Sequence, residues 1–147
     1  FSRRGFNIDS LAVGVTENPE VSRMTIVVDG DEHTVEQVSK QLNKLVDVIK
    51  LKKFDVSESI KRELTLIKVT ANASNRTEII QIVGIFRANI VDVSKTTLTI
   101  EVSGDSDKVA ALEDMLRQFG IKEIVRTGTI AIERGNRIIK VTNNEEE

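Results

Sequence analysis

Few side chains in this sequence are equipped for chemistry: there is one histidine and no cysteine, tyrosine or tryptophan. A catalytic nucleophile or base must be held by a partner group. His33 is flanked only by Glu32 and, one residue further, Asp31, at what reads as a helix start. There it is a solvated end residue, with no second histidine or carboxylate cluster to make it a base or a metal ligand. Asp29, Asp31 and Glu32 lack the alternating oxygen ligands and closing glutamate of a calcium loop. Gly30 and Gly104 do not fall at the spacing of a dinucleotide or phosphate-binding loop. The remaining candidate is Asn7 with Ile8. A carboxamide offers both an acceptor and a donor, so at a strand start it can meet the ammonium and the carboxylate of a free amino acid together. Ile8 beside it would line an apolar pocket. Spacing alone favours a plainer role, in which Asn7 tolerates the unusual backbone that follows Gly5-Phe6, and the same pair recurs at Asn89-Ile90.

The elements that must position these residues come in two copies. Thr25-Ile26-Val27-Val28-Asp29-Gly30-Asp31 lies over Thr99-Ile100-Glu101-Val102-Ser103-Gly104-Asp105, 74 positions on. Val35, Val38, Leu42 and Leu45 then fall opposite Val109, Leu112, Leu116 and Phe119, each set one buried stripe of an amphipathic helix. Asp31 and Asp105 stand where a capping carboxylate satisfies free N–H groups at the helix start.

The second half reads as βαββαβ. A strand over Leu64–Val69 precedes a helix opened by an Asn75-x-x-Glu78 capping box, with Ile79, Ile82, Val83 and Phe86 on one face. Strands over Asn89–Val93 and Leu98–Val102 follow, then a helix from Ser106 to Phe119 ended by Gly120, and one or two strands over Ile121–Ile132. The expected fold is α+β, two tandem ferredoxin-like units with helices on one face of an antiparallel sheet. The first half shows the same order from its third element: strands Ile8–Val15 and Met24–Val28, a helix over Val35–Leu45 and a strand Val46–Leu51. Its first strand and most of its first helix are not in the chain, which leaves two strands without a neighbour. The opening Phe1-Ser2-Arg3-Arg4-Gly5 resembles the tail of a helix ended by glycine, so residues are expected upstream. The expected domains are 1–55, a linker 56–60, a C-terminal domain 61–140 and an acidic tail 141–147.

The 147 residues are 39% apolar and 30% charged with a formal net charge of −2, a folding composition with no general pull toward nucleic acid. A βαββαβ sheet can bind RNA through exposed aromatics on its central strands. Of the five phenylalanines, Phe86 and Phe119 fall on helix stripes, and no aromatic pair remains on a central strand. The absence of cysteine permits a reducing compartment. No apolar run approaches the roughly 20 residues of a membrane span.

Three runs carry a family resemblance: Arg4-Gly5-Phe6-Asn7-Ile8-Asp9-Ser10-Leu11, Ser22-Arg23-Met24-Thr25-Ile26 and Lys40-Gln41-Leu42-Asn43-Lys44-Leu45-Val46-Asp47-Val48. With Arg62-Glu63-Leu64, Ile85-Phe86-Arg87, Ile90-Val91-Asp92-Val93, Arg126-Thr127-Gly128 and Arg134-Gly135, they resemble the small subunit of acetolactate (acetohydroxyacid) synthase across nearly the whole chain. The resemblance implies an N-terminal ACT domain before a second ferredoxin-like domain, in a cytoplasmic (or, in a plant, plastid) homodimer without an active site of its own. It implies a large catalytic subunit carrying thiamine diphosphate, magnesium and FAD, no cofactor in this chain, and feedback inhibition by valine or another branched-chain amino acid. Asn7 and Ile8 fall at the family's effector position, which reverses the reading from spacing. The family's glycine-containing loop after the first ACT strand is not in this sequence. The polar loop Thr16–Arg23 is expected to touch the catalytic subunit through Glu17, Asn18, Pro19 and Arg23, although a plain hairpin connection explains it nearly as well. The alternative is a ferredoxin-like ligand-binding module of a transcriptional or transport regulator, against whose DNA-binding form stands the absence of a helix-turn-helix segment.

Overall fold

The structure, a computed structural model, describes residues 7–140. By their contacts, the described residues up to Ile60 and those from Ala131 form one compact unit, and Lys61–Ile130 forms another.

The second unit is the complete one. Strand β3 (Ser59–Thr70), helix α2 (Arg76–Ile85), strands β4 (Asn89–Val93) and β5 (Thr97–Gly104), helix α3 (Ser106–Leu116) and strand β6 (Ile121–Arg126) follow in the expected order. The sheet runs β4-β5-β3-β6, with β4–β5, β5–β3 and β3–β6 each paired antiparallel. This is the ferredoxin-like order, with the first strand of the repeat inside the sheet. Alternation sends Thr65, Ile67 and Val69 of β3 and Leu98, Ile100 and Val102 of β5 to one face. There they join Ile79, Ile82 and Val83 of α2 and Val109, Leu112 and Leu116 of α3, all 5% exposed or less. Phe86 and Phe119 pack against the same core, as their helix positions require.

At one end of that core Arg126, opposite Thr65 in the ladder, donates from Nη2 to Glu113 Oε1 at 2.6 Å. The Glu113 side chain is 7% exposed and that of Arg126 49%, and the next cation, Arg117 Nη2, is 3.9 Å from Glu113 Oε2. The pair should therefore break asymmetrically. Arg126→Met strands a carboxylate away from water, at a cost of about 2 kcal/mol, whereas Glu113→Gln leaves a guanidinium that water can reach, at a cost of about 1 kcal/mol. Chemical denaturation of the two variants would show equal losses if the carboxylate were as well solvated as its partner.

The helix starts follow two solutions. Asp31 Oδ1 accepts from Thr34 N at 2.9 Å and Asp105 Oδ1 from Lys108 N at 2.9 Å, the caps expected at equivalent repeat positions. The capping box at Asn75 does not form. Asn75 makes no side-chain cap and its Oδ1 instead accepts from Asn72 N at 2.8 Å, because Asn72 and Asn75 close a tight polar turn on each other. Hydrogen bonds from the Thr34 backbone N–H and hydroxyl hold the Asp31 carboxyl below the ordinary value of 3.8. A lowered carboxyl stabilises the fold above 3.8 and loses that contribution as pH falls through the lowered value. Asp31→Ala should accordingly destabilise the helix that Asp31 caps at pH 7 and make little difference once the pH is below the lowered value, as read by helical circular dichroism on acid titration.

The first unit holds an antiparallel hairpin, β1 (Asn7–Val15) and β2 (Ser22–Asp29), and helix α1 (Glu32–Asn43). Gly30 makes the turn between β2 and the cap at φ 152°, where an added Cβ would meet Thr34 Cβ at 2.7 Å. Only Val38 of the α1 stripe is buried, and Leu45 is 53% exposed. The strand expected over Val46–Leu51 is absent: residues 44–47 turn and 48–55 are irregular. A strand needs a ladder partner, and no described strand pairs with this stretch. Strand β3 starts at Ser59, five residues earlier than its apolar pattern suggested, so it runs into the expected linker. Strand β7 (Ile130–Glu133) pairs with β3. The stretch from Ala131 onward, expected to complete the C-terminal domain, falls in the first unit. Its anchors are Arg134 N to Glu58 O at 2.8 Å, Arg137 Nη2 to Glu58 Oε2 at 3.0 Å and Lys52 Nζ to Glu133 Oε1 at 2.9 Å.

Candidate functional site

Asn7 opens β1 and stands opposite Asp29 at the far end of β2. A one-residue irregularity at Asp9 produces this pairing: Ile8 faces Val28, and Ser10, two residues on, faces Val27. Without the bulge, the register of the rest of the hairpin would put Asn7 opposite Gly30. Bulges re-aim side chains in this way. Asn7 Nδ2 donates to Asp29 Oδ2 at 3.3 Å, with both groups at the exposed end of the hairpin. The bond uses one amide hydrogen and leaves the carboxamide oxygen as an acceptor beside a carboxylate. That pair of oxygens suits an ammonium group. Ile8 and Val28 are both half-buried and lie across the ladder from each other, an apolar pair next to the polar one.

The loop expected to touch a partner is tied to itself. Thr16 N donates to Val21 O at 3.0 Å, Thr16 Oγ1 to Val21 O at 2.9 Å, and Glu20 N to Asn18 Oδ1 at 3.1 Å. Glu17 and Pro19 sit exposed on this closed turn, and Asn18 spends its side chain holding it. Arg23 lies elsewhere and is engaged: its Nη2 donates to Ala131 O at 2.8 Å and its guanidinium lies 5.6 Å from the centroid of the Phe54 ring. The structure thus groups Glu17, Asn18 and Pro19 and separates Arg23 from them. Sequence reasoning overlooked Asp29 as the companion of Asn7, Thr16 as the loop's fastener and Phe54 as a seat for Arg23. The alternation of Leu11, Val13 and Val15 puts them on one face of the hairpin, across from Ile26, Met24 and Ser22. Leu11, Val13, Val15 and Met24 are each more than half exposed, a contiguous apolar stripe of the sort proteins cover with another chain.

His33 is exposed near the start of α1. Among the described residues, no group of three histidine, aspartate or glutamate side chains is placed to hold a metal ion. No described helix is long and apolar enough to cross a membrane.

Two family models match in tandem, the small-subunit-like ACT domain of acetohydroxyacid synthase over residues 1–50 and the small subunit of acetolactate synthase over 62–135. A probable acetolactate synthase small subunit of Archaeoglobus fulgidus is 57% identical over 137 residues, 93% of this chain and 86% of the relative. The chain belongs to the acetolactate synthase small-subunit family. The acetolactate synthase small subunit of Mycobacterium bovis is 52% identical over 93% of this chain and 82% of its own length. The crystal structure of the acetolactate synthase small subunit from Thermotoga maritima matches with a TM-score of 0.84 at 45% identity, covering 93% of this chain and 86% of that one. The tandem repeat is therefore that of the family, an N-terminal ACT domain and a second ferredoxin-like unit.

Proposed function

We propose that this chain regulates an acetolactate synthase: it binds valine, or another branched-chain amino acid, between paired ACT domains of a homodimer, and it activates a separate catalytic subunit when the effector is absent. The observation that carries this reading is agreement with named small subunits at 52–57% identity over 93% of the chain. The exposed apolar stripe Leu11, Val13, Val15 and Met24 supports it, since a subunit surface must exchange solvent for a partner.

The effector's ammonium would lie against the Asn7 carboxamide oxygen and the Asp29 carboxylate, and its branched side chain against Ile8. Its carboxylate needs donors that a second protomer would supply. Effector binding then acts by favouring one packing of two protomers over another, because a ligand shifts an equilibrium only through differential affinity. The exposed turn Glu17–Pro19 is the proposed contact with the catalytic subunit, while Arg23 is engaged by Ala131 and Phe54. The chain itself carries no cofactor in this reading, and thiamine diphosphate, magnesium and FAD belong to the catalytic partner.

Reconstitution decides the matter. Adding this protein to an acetolactate synthase large subunit should raise acetolactate formation, and valine should reverse the increase. No increase, with or without valine, would leave only the ligand-binding module of some other regulator.

A further inference from the structure

The Asn-Ile pair that opens β1 recurs at the start of β4 with its surroundings. Asn89 stands opposite Glu101 as Asn7 stands opposite Asp29, Ile90 faces Ile100, and the ladder slips at Val91 before Asp92 faces Thr99. Carboxamide, apolar neighbour, bulge and opposing carboxylate thus return together in the second unit. Ile90 and Ile100 turn to the core, so alternation sends Asn89 and Glu101 to the sheet face turned away from α2 and α3. The register carries this row across the sheet: Glu101 faces Leu66 of β3, and Leu66 faces Val125 of β6. Leu66 is 36% exposed, Val125 57% and Leu64, in the next row, 40%. Neighbouring strands lie about 4.8 Å apart, so a carboxamide and a carboxylate stand one strand away from an exposed apolar strip. An ammonium group held by Asn89 and Glu101 would lay a short aliphatic side chain over Leu66, a spacing that suits an α-amino acid.

Arg87 completes the recognition of a zwitterion. It closes α2 through Arg87 N to Gly84 O at 3.1 Å and Ala88 N to Val83 O at 3.0 Å, with φ 55°; among the described residues it is the one non-glycine residue at positive φ. Glycine is the usual residue at such a helix end, and the residue two before Asn7 in the first repeat is Gly5. An arginine here costs backbone strain. What it adds is an exposed guanidinium two residues from Asn89, able to give two N–H groups to one carboxylate.

We propose that the open sheet face of the second unit is a second binding site, for a free amino acid with an aliphatic side chain: its ammonium on Asn89 and Glu101, its carboxylate on Arg87, its side chain on Leu66. The chemistry is the one proposed for Asn7 and rests on that reading, but the residues differ, so the two sites can be removed one at a time.

The test is NMR titration of the full isotope-labelled chain with L-leucine, and with 4-methylpentanoate, which lacks only the ammonium group. Leucine should give saturable shifts of the backbone amides of residues 87–91 and 99–103, and the control acid should not. Glu101→Gln should weaken the midpoint read at those amides about tenfold, the loss of one charge-assisted hydrogen bond, and leave the response of residues 7–11 unchanged. Asn7→Ala should do the reverse, and if it leaves residues 7–11 unmoved the effector site fails while this one stands. Asn89→Ala, read in the same way, serves if Glu101→Gln does not fold. No saturable shift at residues 87–91 and 99–103, an equal response to the control acid, an unmoved midpoint in the folded variant, or loss of those shifts in Asn7→Ala overturns the proposal.

Discussion

Leu116→Ala should cost about 3 kcal/mol in chemical unfolding, while Leu42→Ala, the same substitution 74 residues earlier in the repeat, should cost about 1 kcal/mol. The two leucines occupy one place in the amphipathic pattern. Leu116 is 0% exposed in a core closed by β3, β5, α2 and α3, so truncation leaves a cavity its neighbours cannot collapse into. Leu42 is only half-buried on a helix whose single buried residue is Val38. Its truncation loses some apolar burial but opens little void, and burial alone is worth about 25 cal/mol per Å². The two units must be followed by separate probes, since a two-unit chain need not unfold in one step. Equal losses would mean that α1 is covered in solution as fully as α3.

The same asymmetry governs what was legible in the sequence. The second unit followed from periodicity because every element has its neighbour there: Val109, Leu112 and Leu116 are buried where the stripe put them, and Gly120 ends the helical stretch at φ 93°. In the first unit the pattern Val46–Leu51 is as strand-like as any in the chain, yet it has no ladder partner among the described strands and does not form one. Propensity proposes a strand and pairing decides it. Asn75 failed as a cap for a local reason, an asparagine three residues earlier competing for its side chain.

The candidate site was legible only as residue types. Asn7 and Ile8 were singled out by residue type and preferred only on the family resemblance, while their surroundings depend on a single bulge at Asp9 that no periodicity announces. Asp29 could have been paired with Asn7 only by someone who knew that the register slips there. Arg23 is drawn away from the Glu17–Pro19 turn because two distant groups, the Ala131 carbonyl and the Phe54 ring, claim its guanidinium. Those separations are invisible in a linear reading.

Asn7→Ala should raise the valine concentration for half-inhibition of a reconstituted holoenzyme between tenfold and a hundredfold, with activation of the catalytic subunit in the absence of valine left within about twofold. The magnitude follows from losing a hydrogen bond to a charged ammonium, about 1.5–3 kcal/mol, at 1.4 kcal/mol for each factor of ten. Folding cannot account for such a change. Among the described residues, the bond the Asn7 side chain donates is to Asp29 at 3.3 Å, exposed and long, worth about 0.5 kcal/mol to the hairpin. Ile8→Ala separates polar from apolar recognition: it should weaken valine more than alanine as an inhibitor, since only the branched side chain reaches that wall. Activation and inhibition lost together in Asn7→Ala would make it a folding residue. Inhibition left intact would move the effector away from the start of β1, and with it the role assigned to the bulge that turns Asn7 toward Asp29.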